Sequence, residues 1–445
     1  MSRLILGHTT NHSIKIWVRG SARWPYAFLD VLDSADQKTA PTHVALTLEE
    51  EFFTHVVEWK GLSANNAYRV KVAYGKDKKS TEDERVRDAY TEGNFRTFPE
   101  ADNGAAFTFM LGSCNLHSLG FIEKPDRAWM QVSSLAKHNE ARFMIHAGDQ
   151  IYADIPLKPQ ASLEHYRDKY LDAWDDCTPA RKALTELPHY MILDDHEIIN
   201  NFDNDLTAGN VDYQGLARVA MKVYWEFQHS HNPHATAAGF HYHYDFSYGQ
   251  TQFFVMDTRY YRASGSGQMI DPVQEKALLK WLSAHKDALK FIVTSVPFVT
   301  EVKTPEADKW CDPAYDGQRG RILSHILSHG ISKVVFLTGD MHSALMATLD
   351  FTDAAGSTAR IYELMSSPIN QITPDLPMEK QFIPSLTRKL KNGFMIHSQI
   401  DKSSFFGKNS NLMAIEVPGD GTVQYRIYRT TKSSNIPVKT GSFTP

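Results

Sequence analysis

A chain of 445 residues can bury a large core and, at about 150 residues per domain, holds two or three of them. With 42% hydrophobic and 22% charged residues and a net charge of −5, it gives no reason to expect a nucleic acid or an anionic membrane as partner. No run approaches a membrane span, and three cysteines, Cys114, Cys177 and Cys311, make no disulfide framework and suit a reducing compartment.

The N-terminus, MSRLILGHTTNHSIKIWVRG, has one early arginine and only three consecutive apolar residues. That is neither a signal peptide nor a twin-arginine signal, so a cytoplasmic location is expected. Residues 1 to about 99 read as all-β. Ser13–Arg19, Thr54–Trp59 and Tyr68–Tyr74 alternate with period 2, punctuated by Gly61, Asn65-Asn66 and Gly75. This spacing suggests a small sandwich of fibronectin or immunoglobulin type. Lys76 to Arg87 reads as a solvated loop, and Pro99 to Gly104 as the linker to a second region, 105–445.

From residue 105 strands and helices alternate. Helices are expected at Asp126–Asn139, after Ser162 (with Leu163, Tyr166, Tyr170 and Trp174 on one face), at Leu216–Phe227, at Asp271–His285 and at Arg321–His329. The fourth opens with a capping pattern, Asp271, Pro272 and Gln274. His229, His231, His234, His241 and His243 fall in one segment; their spacing fits no ligand motif, and a polar loop over the catalytic face is expected. Beyond about 350 strands return, at Arg360–Leu364, Leu412–Val417 and Val423–Tyr428, the last two joined by a Pro418–Gly421 hairpin turn.

The strands of the second region share one pattern. Phe143-Met144-Ile145 runs into Gly148-Asp149 and Tyr152. Phe107–Leu111 ends in Gly112-Ser113-Cys114-Asn115, Tyr190–Leu193 in Asp194-Asp195-His196-Glu197, Phe253–Met256 in Asp257-Thr258-Arg259, and Val334–Leu337 in Thr338-Gly339-Asp340-Met341-His342. Only Phe291-Ile292-Val293 ends without an ionisable residue, in Thr294-Ser295. In open α/β sheets ligands bind outside the carboxyl ends of the strands. Five such ends point to a single site rich in metal-ligand side chains. Phenolate and thiolate ligation need a strong Lewis acid, and Fe(III) is usual for tyrosine. Asp149, Asp195 and Asp340 are hard donors that suit Ca²⁺, Mg²⁺ or Mn²⁺. A shared aspartate can bridge two ions and so serve phosphoryl displacement.

Gly148-Asp149-Gln150-Ile151-Tyr152 resembles the GDxxY motif of purple acid phosphatases. Asp194-Asp195-His196-Glu197 stands where their relatives carry GNHE, and Gly339-Asp340-Met341-His342 stands for GHxH. With Ser113-Cys114-Asn115 in place of the first aspartate motif, the set resembles the PhoD family of alkaline phosphatases and phosphodiesterases, a branch of the calcineurin-like metallophosphoesterases. Asp257-Thr258-Arg259, Asn200-Asn201 and a leading β-sandwich also fit.

The resemblance implies an α/β metallophosphoesterase fold: a β-sandwich core flanked by helices, preceded by a small all-β sandwich. It implies that Cys114, Asp149, Tyr152 and His342 hold Fe(III), that Asp149 bridges, and that Asp195 and Asp340 hold a divalent ion. Of the divalent ions Ca²⁺ is first choice, with Mn²⁺ and Mg²⁺ as alternatives. His196 would assist the leaving oxygen. Arg259 and Asn200 would contact a small phosphate-ester substrate; the other reading of Arg259 is an ion pair with Asp257. Asp194 is expected as support rather than ligand, and His117 and His146 as core histidines. Ser295-Val296-Pro297 departs from the family, which usually offers a further histidine there. The metals' five positive charges face five negative ones from Cys114, Asp149, Tyr152, Asp195 and Asp340. Once hydroxide joins, the site is near −1, which favours phosphodiesters over monoester dianions; Arg319 or Arg321 could offset part of this. A catalytically silent binding module on the same fold and a non-haem iron oxygenase are the rivals. The latter fits poorly with a single histidine among carboxylates, Cys and Tyr.

Overall fold

The computed structural model describes residues 3–88, 90–118, 127–233, 241–371, 380–407 and 409–445. Near the N-terminus, Arg3–Thr9, Ser13–Arg19 and Thr54–Lys60 form a three-stranded sheet. His43–Leu46, Tyr26–Leu32, Ala67–Gly75 and Glu92–Arg96 form a four-stranded one. Every pairing is antiparallel. The period-2 alternation sends Tyr68, Val70 and Val72 inward to meet Leu6, Ile16 and Leu29. Polar contacts fasten this sandwich to the second region. Arg3 and Arg19 both reach Asp175, Trp17 Nε1 donates to the Glu226 carbonyl at 2.7 Å, and Lys15 Nζ to that of Asn232 at 2.6 Å.

The remainder is built on two larger sheets. The six-stranded one runs, in order, His189–Ile192, Met144–Ala147, Phe107–Gly112, Asn411–Val417, Val423–Arg429, Lys439–Phe443. The eight-stranded one begins Tyr244–Tyr248, Thr251–Val255, Lys290–Val293, Val334–Thr338, Thr358–Ser366. All six expected motif strands are present. The three on the first sheet pair in parallel, as do the three on the second. Parallel pairing sends their carboxyl ends to a common edge of each sheet.

The apolar runs are continuous because both faces are covered. Phe109, Phe253, Val255, Phe291, Val293 and Leu337 meet between the sheets. Their neighbours point outward to the helices. Met110 and Met144 pack under Arg127–His138; Phe254, Ile292 and Phe336 pack under Pro272–Ala284 and Asp316–Ser328. The result is helix, sheet, sheet, helix, in agreement with the expected sandwich flanked by helices. Among the described residues no helix is long and apolar enough to cross a membrane.

Three local expectations are corrected. Asp271 does cap its helix, accepting from the N–H groups of Val273 and Gln274. Gln274, however, does not return to the cap: it exchanges two 2.8 Å hydrogen bonds with the backbone of Asp257 and so pins a motif loop. The helix after Ser162 is α only over Leu163–Tyr170 and widens to a π turn at Leu171–Asp175. Of the histidine segment, His229, His231 and His243 do not stand on a polar loop. They are buried, with His231 pressed against Gly7 of the N-terminal sheet; His234 lies outside the described residues.

Candidate functional site

The two sheet edges meet at their motif loops, and glycine permits the approach. A Cβ on Gly339 would fall 2.3 Å from Ser113 Oγ and 2.8 Å from the Ala147 carbonyl. Gly148, at φ +96°, carries the chain past Asp194, whose Cβ an added methyl would meet at 2.5 Å. Residues that rarely adopt left-handed backbone do so here: Cys114 (φ 58°), Asp149 (56°), Asp340 (64°) and His342 (46°). Each costs about 1–3 kcal/mol, and such strain gathers at functional sites.

The first loops interlock. The N–H groups of Cys114 and Asn115 donate to the carbonyls of Gly148 and Asp149 at 3.0 and 2.7 Å. Cys114 Sγ donates to Asp149 Oδ2 at 3.2 Å. Tyr152 packs with Cys114 and Leu116, and its buried hydroxyl has no hydrogen-bond partner among the described residues. Its ring lies 4.1 Å from that of His196, centroid to centroid. Asp149, Asp195 and His196 each offer a ligand atom within 4.8 Å of the others, the one group of three or more found among the described residues. His196 thus stands geometrically with the expected ligands.

Two carboxylates to which the motifs assign no role hold this arrangement. Asp154 Oδ1 lies 2.7 Å from His196 Nδ1, while its Oδ2 accepts from the Asn200 N–H at 2.8 Å. Buried Glu197 accepts from the N–H groups of Asp149 (3.1 Å), Gln150 (2.6 Å) and Asp194 (2.8 Å), tying two motif loops together. Asn200 itself is exposed beside that pair. Asp195 Oδ2 accepts from the Asn201 N–H at 2.5 Å.

The Arg259 guanidinium is fully buried, bound to Asp194 Oδ1 through Nε at 2.7 Å and paired with Asp308. Asp257 instead accepts the backbone N–H groups of Arg259 and Tyr260, so the expected pair with Asp257 is replaced. Arg319 is buried on Glu301 at 2.6 Å and Arg321 pairs with Glu275 at 2.6 Å; neither serves this site. Asp194 accepts from Arg259 and from Ser295 Oγ at 2.9 Å, which puts Ser295 to work where the family offers a histidine. The cation near the strand ends is one the motifs did not point to: Lys309, 2.6 Å from Asp340 Oδ2 and paired with Asp308.

Burial dominates the electrostatics. It pushes Asp149 well above the usual carboxylate range, with Asp194, Asp195 and Glu197 adding repulsion and His196 opposing it. It raises the Cys114 thiol, with Asp149 adding, and the Tyr152 phenol, with Cys114 and Asp149 adding. Asp194 rises to about 7 through burial despite Arg259. His342 falls to about 4 through burial and the nearby His196 and Lys309. Burial would also lower His196, but Asp195, Asp149 and Asp154 outweigh it and lift the ring to about 10. Crowded, buried acids beside a buried phenol form a donor set that fits a polyvalent cation, since a bound ion would bring the raised Asp149, Cys114 and Tyr152 back down and would favour the neutral ring of His342.

Residues 109–424 match the sequence model of the PhoD-like phosphatase family. Alkaline phosphatase D of Bacillus subtilis (strain 168) is 24% identical over 301 residues, 58% of this chain and 49% of that protein; the chain thus spans about half the length of that curated relative. Among solved structures, one of PhoD superposes with a TM-score of 0.75 at 18% identity, covering 99% of this chain and 88% of the other. Purple acid phosphatase PPD1 from yellow lupin (Lupinus luteus) seeds gives 0.60 at 12% identity, covering 99% and 74%. These two share the fold.

Proposed function

Because the chain belongs to the PhoD-like phosphatase family, we propose that it is a metal-dependent hydrolase of phosphate esters that favours diesters. One arrangement supports this most: Cys114, Asp149, Tyr152, Asp195 and His196 converge at the carboxyl ends of parallel strands, on loops held in strained backbone. In this reading Cys114, Asp149, Tyr152 and His342 hold Fe(III), Asp149 bridges, and Asp195 and Asp340 hold a divalent ion, Ca²⁺ first and Mn²⁺ or Mg²⁺ next. Such a pair, when bound, activates water and clamps the phosphoryl oxygens.

The chain's own residues position the substrate's leaving group and hold the loops in place. His196, held by Asp154 at Nδ1, keeps its other ring nitrogen for the leaving oxygen and gives it a proton. Glu197 fixes the backbone of Asp149 against that of Asp194. Arg259 holds the Asp194 side chain in place. Asn200 stays a candidate at the rim. The family match begins at residue 109, which supports reading residues 1–99 as a separate domain ahead of a catalytic one.

The diester preference rests on charge. With hydroxide the cluster is near −1, and each extra negative charge on the substrate meets repulsion of about 4 kcal/mol at 4 Å and an effective dielectric of 20. The test compares kcat/KM for bis-p-nitrophenyl phosphate and p-nitrophenyl phosphate at one alkaline pH with calcium supplied. A higher value for the diester is expected. A clear advantage for the monoester would leave a plain alkaline phosphomonoesterase, and turnover of neither by metal-loaded protein would leave a binding module.

A further inference from the structure

Lys309 belongs to no motif and has no part in the roles assigned so far. Its ammonium pairs with Asp308 and stands 2.6 Å from Asp340 Oδ2. Asp308 is also held by Arg259 and Arg262, so three cations share one carboxylate. The two guanidiniums are closed off, with side chains 0% and 2% exposed. Lys309 is 12% exposed and its partner Asp340 15%. Lys309 is therefore the least enclosed member of this cation network. It carries three N–H donors, and its two carboxylate partners occupy at most two of them.

We propose that Lys309 contacts the phosphoryl group of the substrate and sets the balance between monoesters and diesters; this rests on the reading of the chain as a phosphate-ester hydrolase. Its charge was absent from the count that put the hydroxide-bearing cluster near −1. The ammonium makes that local count one unit more positive. A monoester dianion carries one more negative charge than a diester, so it gains more from a fixed positive charge beside Asp340. Lys309 thus narrows the diester preference.

The experiment compares wild type with Lys309→Met, Lys309→Gln and Lys309→Arg, each loaded with metal and checked for metal content and thermal unfolding. Binding of inorganic phosphate is measured by calorimetry, and kcat/KM is measured for p-nitrophenyl phosphate and bis-p-nitrophenyl phosphate. Loss of one charge-assisted hydrogen bond should weaken phosphate by about tenfold or more in Lys309→Met. The monoester kcat/KM should fall by a larger factor than the diester value, and Lys309→Arg should recover phosphate affinity. Lys309→Gln carries the same comparison if the methionine variant does not fold. Unchanged phosphate affinity, or equal losses for both esters, overturns the proposal. So does metal loss in Lys309→Met with no recovery of phosphate affinity in Lys309→Arg, because the lysine would then only support Asp340. If wild type turns over neither ester, the hydrolase reading fails while the phosphate measurement still decides the role of Lys309.

Discussion

The two sides of the strand-end site differ in how much positive charge their own residues supply. On the side of the six-stranded sheet, Cys114, Asp149 and Tyr152 are buried together, and each acid is pushed toward its protonated form by burial and by its neighbours. The nearest counter-charge there is His196. On the side of the eight-stranded sheet, Arg259, Arg262 and Lys309 thread among Asp308, Asp340 and Asp194, the last reaching across from the six-stranded sheet. Asp308 is held well below the usual carboxylate range: burial alone would raise it, and Arg259, Lys309 and Arg262 outweigh that. The second side thus holds more positive charge of its own than the first, although burial still raises Asp340 and Asp194 there. The proposed trivalent ion at Tyr152 and divalent ion beside Asp340, argued from the donor types, accord with that difference.

Substitutions can break this contrast in graded steps. The largest effect should come from Asp149→Asn, which removes the proposed bridge between the two sides. Both ions should be lost, and turnover should fall by about 10³-fold or more, since the ions supply several kcal/mol; metal analysis and ester turnover check this. Next comes His196→Ala. A positioned acid contributes roughly 10²–10⁴-fold, and the variant should lose that much turnover with metal content intact. Metal loss instead would make His196 a ligand, as its place beside Asp149 and Asp195 also allows.

A smaller effect is expected for Asp154→Asn. Asp154 helps to raise the affinity of His196 for its proton. Removing that negative charge lowers the His196 pKa, so the protonated ring is lost at lower pH. The alkaline limb of kcat/KM should therefore move to lower pH, with a loss of about 10–100-fold at the original optimum, the range typical of an orienting partner. An unchanged pH profile would leave Asp154 a structural neighbour only.

Legibility in the sequence obeys the same physics. The six motif strands could be read because burial on both faces leaves unbroken runs such as Phe253–Met256, and because each run stops at Gly, Asp or Thr. Cys114, Asp149, Tyr152, Asp195, Asp340 and His342 could be singled out because each comes directly after a strand. Asp154 closes the FMIHAGDQIYAD stretch, yet nothing local says that it will meet His196. Glu197 sits in a motif, but its work is to bind backbone of another loop. The partners of Arg259, Asp194 and Asp308, could not be read because they are remote in sequence. Lys309 comes after no strand and obeys no period, so only the folded chain brings it to Asp340. The buried histidines His229 and His231 read as polar because nothing in their own segment reveals the cover provided by the N-terminal sandwich.

The central claim is a mixed pair of ions on two unlike sides, and visible spectroscopy with metal analysis of protein purified without chelator tests it most directly. Iron together with a divalent ion is expected, with a visible charge-transfer band from Tyr152 and Cys114 bound to Fe(III). Tyr152→Phe should shift or abolish that band. Two zinc ions, no iron and a colourless protein would contradict it.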